Sequence, residues 1–296
     1  MKHIAPTATL LLALATIAIA SPLHNEQVAA DAKWVVHIDV DKLRSTTVGG
    51  LIKQLLDTKM GGLTRQFDID LDWNKIGALT AYGTSYRPTP DFKGVVLINT
   101  ELDLQKALDG AITKMSQDTN DEPAAIRKTQ QGDVTTYSIK DSMFASFRAG
   151  KPIIVGKSRD SVQKAGEVLS GTSANLASTK TFSEFPDSKK AFFFQAAAED
   201  FNLSDQFPEE GEGSNPKAKI LKLADGGRVM LGEEANQLFL DLSLKAKASE
   251  VVTQMQQVVQ GMIALASLSQ TDNQDLQQLA QSAKVFAAGN IVSSEM

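Results

Sequence analysis

Two residues of one short run could do chemistry together. In Trp34-Val35-Val36-His37-Ile38-Asp39-Val40 an imidazole and a carboxylate stand two positions apart. The run is β-branched and aromatic and reads as a strand, so His37 and Asp39 project from one face with Val35 beside them. An imidazole next to a carboxylate can hold a metal ion or move a proton. Such a site needs a third partner, and the sequence nominates none. The competing expectation is a solvated or hydrogen-bonded strand face, with Trp34, Val36, Ile38 and Val40 turned to the core.

Three other stretches imitate reactive motifs. Gly150-Lys151-Pro152-Ile153-Ile154-Val155-Gly156-Lys157-Ser158 ends in Gly-Lys-Ser before a helix-like run, as a phosphate loop does. A phosphate loop needs its first glycine where Lys151 stands, and a bare spacer whose N–H groups face phosphate. Here the spacer contains a proline and three strand formers. The segment is expected to be a turn, an inner strand and a helix capped by Ser158. Ser161 and Lys164 have the spacing of the serine–lysine pair of penicillin-recognising enzymes, but no S-D-N or K-T-G follows. Asp68, Asp70 and Asp72 open like a calcium loop, yet its glycine and glutamate positions hold Trp73 and Leu79. Asp72 is expected to cap a turn instead. No cofactor is expected.

Composition narrows the setting. Lys2 and His3, the apolar run from Ala8 to Ala20 and the small residues before Ser21 form the pattern of a cleaved secretory signal over residues 1–20. The chain is therefore expected to be exported, periplasmic or extracellular, with no transmembrane segment after cleavage. It has no cysteine. Disulfides, thiolate metal sites, thiol catalysis and a lipid-modified N-terminal cysteine are thereby excluded. Net charge is −5 with both signs mixed, so no basic stripe marks a nucleic-acid partner. Only His24 and His37 lie beyond the leader, a thin supply of general bases.

The elements that would position these residues follow from punctuation and periodicity. After the first strand Asp41 is expected to cap a helical region broken near Gly49-Gly50. IGALTAYG and FKGVVLIN read as paired strands, and Thr100 with Asp103 marks the start of a helix carrying Leu104, Leu108, Ala111, Ile112 and Met115 on one face. Four short strands from AAIRKT to PIIVG form a meander before the helix SVQKAGEVL. Residues 171–190 read as a connection. A second series follows: the strand FFFQAAAEDF, the exposed loop FPEEGEGSNP, and a hairpin in which Leu238, Leu240, Leu242 and Leu244 alternate. A helix capped by Ser249 then carries Val251, Val252, Met255, Val258, Val259, Met262 and Ile263 as an apolar stripe, read as core. A short helix near DLQQLAQSA and a hairpin turning at Gly289-Asn290 close the chain.

The order of elements recurs. The sequence predicts an α+β fold of two similar halves, residues 31–175 and 188–296, each an antiparallel sheet with amphipathic helices on one face. The second half is shorter and lacks a counterpart of SVQKAGEVL. At the places of His37 and Asp39 it has Gln195 and Ala197.

The stretch DAKWVVHIDVDKLRSTTVGGLI, followed by DLDWNKIGALTAYG, resembles a group of exported bacterial proteins of unknown function. That resemblance implies export and an α+β build, and brings no activity or site residues. Function is expected to be non-enzymatic binding or assembly with an unknown partner. The alternatives are a periplasmic carrier of a lipid or other apolar ligand, and a metal-dependent hydrolase using His37 and Asp39. A void of about 300 Å³ or more between sheet and helix would favour the carrier.

Overall fold

The computed structural model describes residues 22–67, 72–86, 93–117, 126–188, 190–200, 222–268 and 280–296. The leader, the loop FPEEGEGSNP, Asp68 and Asp70, and most of DLQQLAQSA lie outside them.

The chain is α+β. Among the described residues its strands form a single antiparallel sheet of twelve, in the spatial order β11-β12-β10-β9-β8-β1-β2-β3-β7-β6-β5-β4. These are β1 (Trp34–Asp39), β2 (Ile76–Gly83), β3 (Gly94–Thr100), β4 (Ile126–Gln131), β5 (Val134–Ile139), β6 (Met143–Arg148), β7 (Ile153–Gly156), β8 (Phe192–Glu199), β9 (Ala224–Glu234), β10 (Gln237–Ala246), β11 (Lys284–Ala288) and β12 (Ile291–Glu295). The helices are α1 (Val40–Arg44), α2 (Thr47–Phe67), α3 (Leu104–Gln117), α4 (Arg159–Ser170) and α5 (Val252–Leu268). No helix among the described residues is long and apolar enough to cross a membrane.

Local chemistry sets the boundaries. Asp39, not Asp41, is the N-cap of α1: its side chain accepts from the Lys42 amide at 2.8 Å. The break between α1 and α2 falls at Ser45-Thr46, ahead of the glycine pair, where Thr46 Oγ1 accepts from the Gly49 amide. Asp103 caps α3 through the Lys106 amide. Ala248, not Ser249, precedes the 3-10 turn that leads into α5. The β9–β10 hairpin turns on Ala235 and Asn236, both at positive φ, the backbone that a two-residue hairpin loop requires. Gly289 turns the last hairpin in the same region.

Alternation divides the side chains between two faces. On one face Val35, Tyr82, Val95, Leu97, Ile154 and Phe144 pack against Val162, Ala165 and Val168 of α4. On the other, α3 lays Leu104, Leu108 and Ile112 over Tyr137, Ala145, Phe147 and Ile153. Farther along that second face α5 buries Val252, Met255 and Val259 against Leu244 and Val292. The α5 stripe is therefore core. Helices occupy both faces of residues 31–175, which corrects the one-face expectation. A central run of strands buried from both sides needs a layer on each. The leucine row of β10 also grades outward: Leu244 is buried and Leu238 is exposed.

Candidate functional site

His37 and Asp39 lie on the buried face of β1. His37 is 1 % and Asp39 3 % exposed, whereas Trp34, Val36 and Ile38 on the opposite face are half-buried. The expected assignment of faces is thus reversed along the strand, while Val40, the first residue of α1, is buried as expected. The physical reason is that β1 sits mid-sheet between β2 and β8, with α1 packed against all three strands. Polar groups can be buried there because they are bonded. His37 Nδ1 and Thr80 Oγ1, on adjoining strands, are 2.9 Å apart. Asp39 serves the first turn of α1. Gln195 is the cross-strand neighbour of His37 on β8. The geometry gives the pair a structural employment and no access from solvent. Among the described residues no three His, Asp or Glu side chains gather as a metal site.

The Gly-Lys-Ser segment builds a different feature. Gly150 turns the chain at positive φ, and β7 follows as an inner strand between β3 and β6. Gly156 is required by packing: a Cβ there would stand 2.9 Å from Val162 Cγ2 and 3.3 Å from Val95 Cγ1. The glycine lets α4 settle onto the sheet. Ser158 caps α4, accepting from the Ser161 amide, and Gly171 ends it in the left-handed region. Lys164 does not serve Ser161. Its ammonium pairs with Asp31 at 2.6 Å. Asp72 caps a turn through the Asn74 amide.

Because α4 leans on β3, β6 and β7, the outer strands of the meander stay uncovered on that face, and a cleft of about 550 Å³ opens between them and the helix. Its apolar floor comes from Phe144, Ile154 and Val162, all buried, with Val134 and Leu169 beside them. Thr129, Thr136 and Ser146 add hydroxyls in register across β4, β5 and β6. Arg148, Lys151 and Arg159 supply positive charge at the mouth. Arg159 lies over the Phe144 ring, 5.5 Å from its centroid. Arg148 Nε donates to Asp133 at 2.7 Å, a pair that holds the Asp133 carboxyl below its usual range. The one lining carboxylate, Glu167, is engaged by Gln163 and Ser173. Gly166 leaves the helix wall bare: a Cβ there meets only Ile154 Cδ1, at 3.8 Å.

Among the described residues that line this cleft there is no histidine. An apolar floor with a few convergent polar groups is the usual build of a small-ligand site. The sequence reading missed it. The available signal was the alternation of Thr129, Thr136 and Ser146 opposite the core residues Tyr137 and Phe147.

No family model and no curated protein matches the sequence. Among solved structures the chain is similar to crystal form III of TP0453, with a TM-score of 0.53 at 10 % identity over 93 % of this chain and 94 % of that one. Crystal form IV of TP0453 gives a TM-score of 0.50 at 10 % identity over 94 % of each chain. At that identity the likeness concerns the fold alone.

Proposed function

We propose that the chain is an exported, non-enzymatic binding protein that takes an amphipathic ligand, apolar in body and anionic at one end, in the cleft beside α4. The observation that carries this reading is the lining: a buried Phe144–Ile154–Val162 floor under a mouth where Lys151 and Arg159 stand beside Arg148, itself paired with Asp133, and the one carboxylate, Glu167, is hydrogen-bonded. A purely apolar ligand is favoured less than in the carrier reading, since hydroxyls and arginines share the walls. Metal-dependent hydrolysis at His37 and Asp39 has no comparable support, because both side chains are buried and bonded into the frame.

The test uses an anionic aromatic probe, anilinonaphthalene sulfonate, on the native chain and on Gly166→Phe. The phenyl group would fill the cleft from an unobstructed position. The proposal expects saturable fluorescence in the native chain and its loss in the variant, with folding intact. Equal fluorescence in both would refute it.

We also infer that the two halves arose by duplication. What supports this is strand order. β1 and β8 lie side by side and antiparallel at the centre, as a two-fold axis would place them. In each half the last strand returns to the third one outward, β7 to β3 and β12 to β10. A superposition of residues 31–175 on 188–296 that failed to align β1-β2-β3 with β8-β9-β10 would remove the idea.

A further inference from the structure

A second cleft, of about 760 Å³, opens on the other flank of α4, between its first turn, β2, β3 and the segment at Ala29–Asp31. At its inner wall stands Tyr82, only 4 % exposed. Its Oη is buried and makes no hydrogen bond of normal geometry, although the Ala29 amide is its polar neighbour. A buried hydroxyl without an acceptor is costly, so such groups ordinarily meet a water or a ligand. Burial, reinforced by the Asp31 carboxylate, pushes the Tyr82 phenol up, which keeps its proton in place as a donor.

The remaining lining favours negative charge. The first-turn amides of a helix have no intrahelical acceptor, and the macrodipole adds to their pull on an anion. In α4 the Arg159 and Asp160 amides are left, because the Ser161 amide donates to the Ser158 cap. Ser158, Ser161 and Thr84 add hydroxyls. Lys93, Lys157 and Lys164 stand against Asp31 and Asp160, and Asp31 is already spent on Lys164. Among the described residues Lys93 and Lys157 have no ion-pair partner.

We propose that this cleft is an oxyanion site for a single phosphate group, with Tyr82 Oη–H and the Arg159 and Asp160 amides of α4 as donors and Lys157 and Lys93 as counter-charges. The site takes one phosphate and not a nucleotide's chain of them, because Ile153 to Val155 are strand, Pro152 has no N–H, and no bare loop wraps further oxygens. It is independent of the ligand cleft across the helix.

The experiment titrates inorganic phosphate into the full chain and follows the amide resonances of residues 157–161. Vesicles containing phosphatidic acid form a second arm, read by co-sedimentation against phosphatidylcholine alone. Saturable shifts are expected, weakened about tenfold in Tyr82→Phe, which keeps the ring and removes one hydrogen bond to a charged group. Lys157→Gln, at an exposed position, is expected to weaken binding several-fold. Shifts with phosphate and no sedimentation assign the site to a free phosphate, and a response in both arms assigns it to a lipid headgroup. No saturable shift up to about 10 mM phosphate together with no sedimentation overturns the proposal, as do shifts that Tyr82→Phe and Lys157→Gln leave unchanged.

Discussion

Asp39→Ala is expected to lower stability by about 2 kcal/mol while leaving probe binding beside α4 unchanged. The carboxylate is 3 % exposed, and its Oδ1 accepts from the Lys42 amide at 2.8 Å. Losing an N-cap acceptor costs about 1–2 kcal/mol, and the amide left behind is half-buried, so solvent recovers only part of the bond. For a chain of this size about 2 kcal/mol corresponds to a fall in Tm of roughly 3–4 °C. Asp39→Asn retains an acceptor at the same place, and asparagine caps about as well as aspartate, so its cost stays under about 1 kcal/mol. The assay is thermal unfolding of the three proteins followed by circular dichroism, with fluorescence titration of each at 25 °C. The order native, Asn, then Ala well below supports a structural carboxylate. Two variants as stable as the native chain, both with altered ligand binding, would refute it, since removing a strained functional carboxylate commonly leaves stability unharmed or improved.

Met255→Ala should cost about 2–5 kcal/mol, because the side chain is fully buried between α5 and the sheet, whereas Gln254→Ala on the exposed side of the same helix should change Tm by little; urea unfolding compares them. Gly232→Ala should cost about 1–3 kcal/mol, since its Cβ would lie 2.2 Å from Phe239 Cζ and 2.6 Å from the Ala191 carbonyl oxygen. Asp109 is held below the usual carboxylate range by hydrogen bonds from Lys128 first and Tyr137 second. A depressed folded-state pKa gives stability that is present above the unfolded value and lost as pH falls through the folded one. Asp109→Asn should therefore lower Tm at pH 7, and its deficit should shrink as the pH is taken well below about 4; a pH-independent deficit would contradict this. Ser161→Ala should leave Tm and probe binding close to native, because Lys164 is committed to Asp31.

Much of the frame was legible in residue patterns. β-branched runs bounded by glycine and proline located the strands, and caps such as Ser158 and Asp103 located helices. What escaped was information held between elements. The sequence near Trp34 cannot say which face of β1 is the more deeply buried, because both are apolar enough and the answer depends on the layers laid over a mid-sheet strand. The helix break was misplaced for a related reason: Thr46 closes α1 with its own side chain, so the glycines need not. Joining of the strands into one sheet depends on the β1–β8 pairing, between residues more than 150 positions apart. The cleft beside α4 is a vacancy set by where that helix leans, and its polar lining is spread over three strands and a helix face. Local reading sees such residues only as solvated alternation.

The most direct test of the account is native mass spectrometry of the chain expressed with its leader and purified without detergent, alongside Gly166→Phe. The account predicts an added mass on the native chain that is released as an amphipathic anion and is absent from the variant. The same added mass on both proteins, or a bare native chain that fails to take up the sulfonate probe, would contradict it.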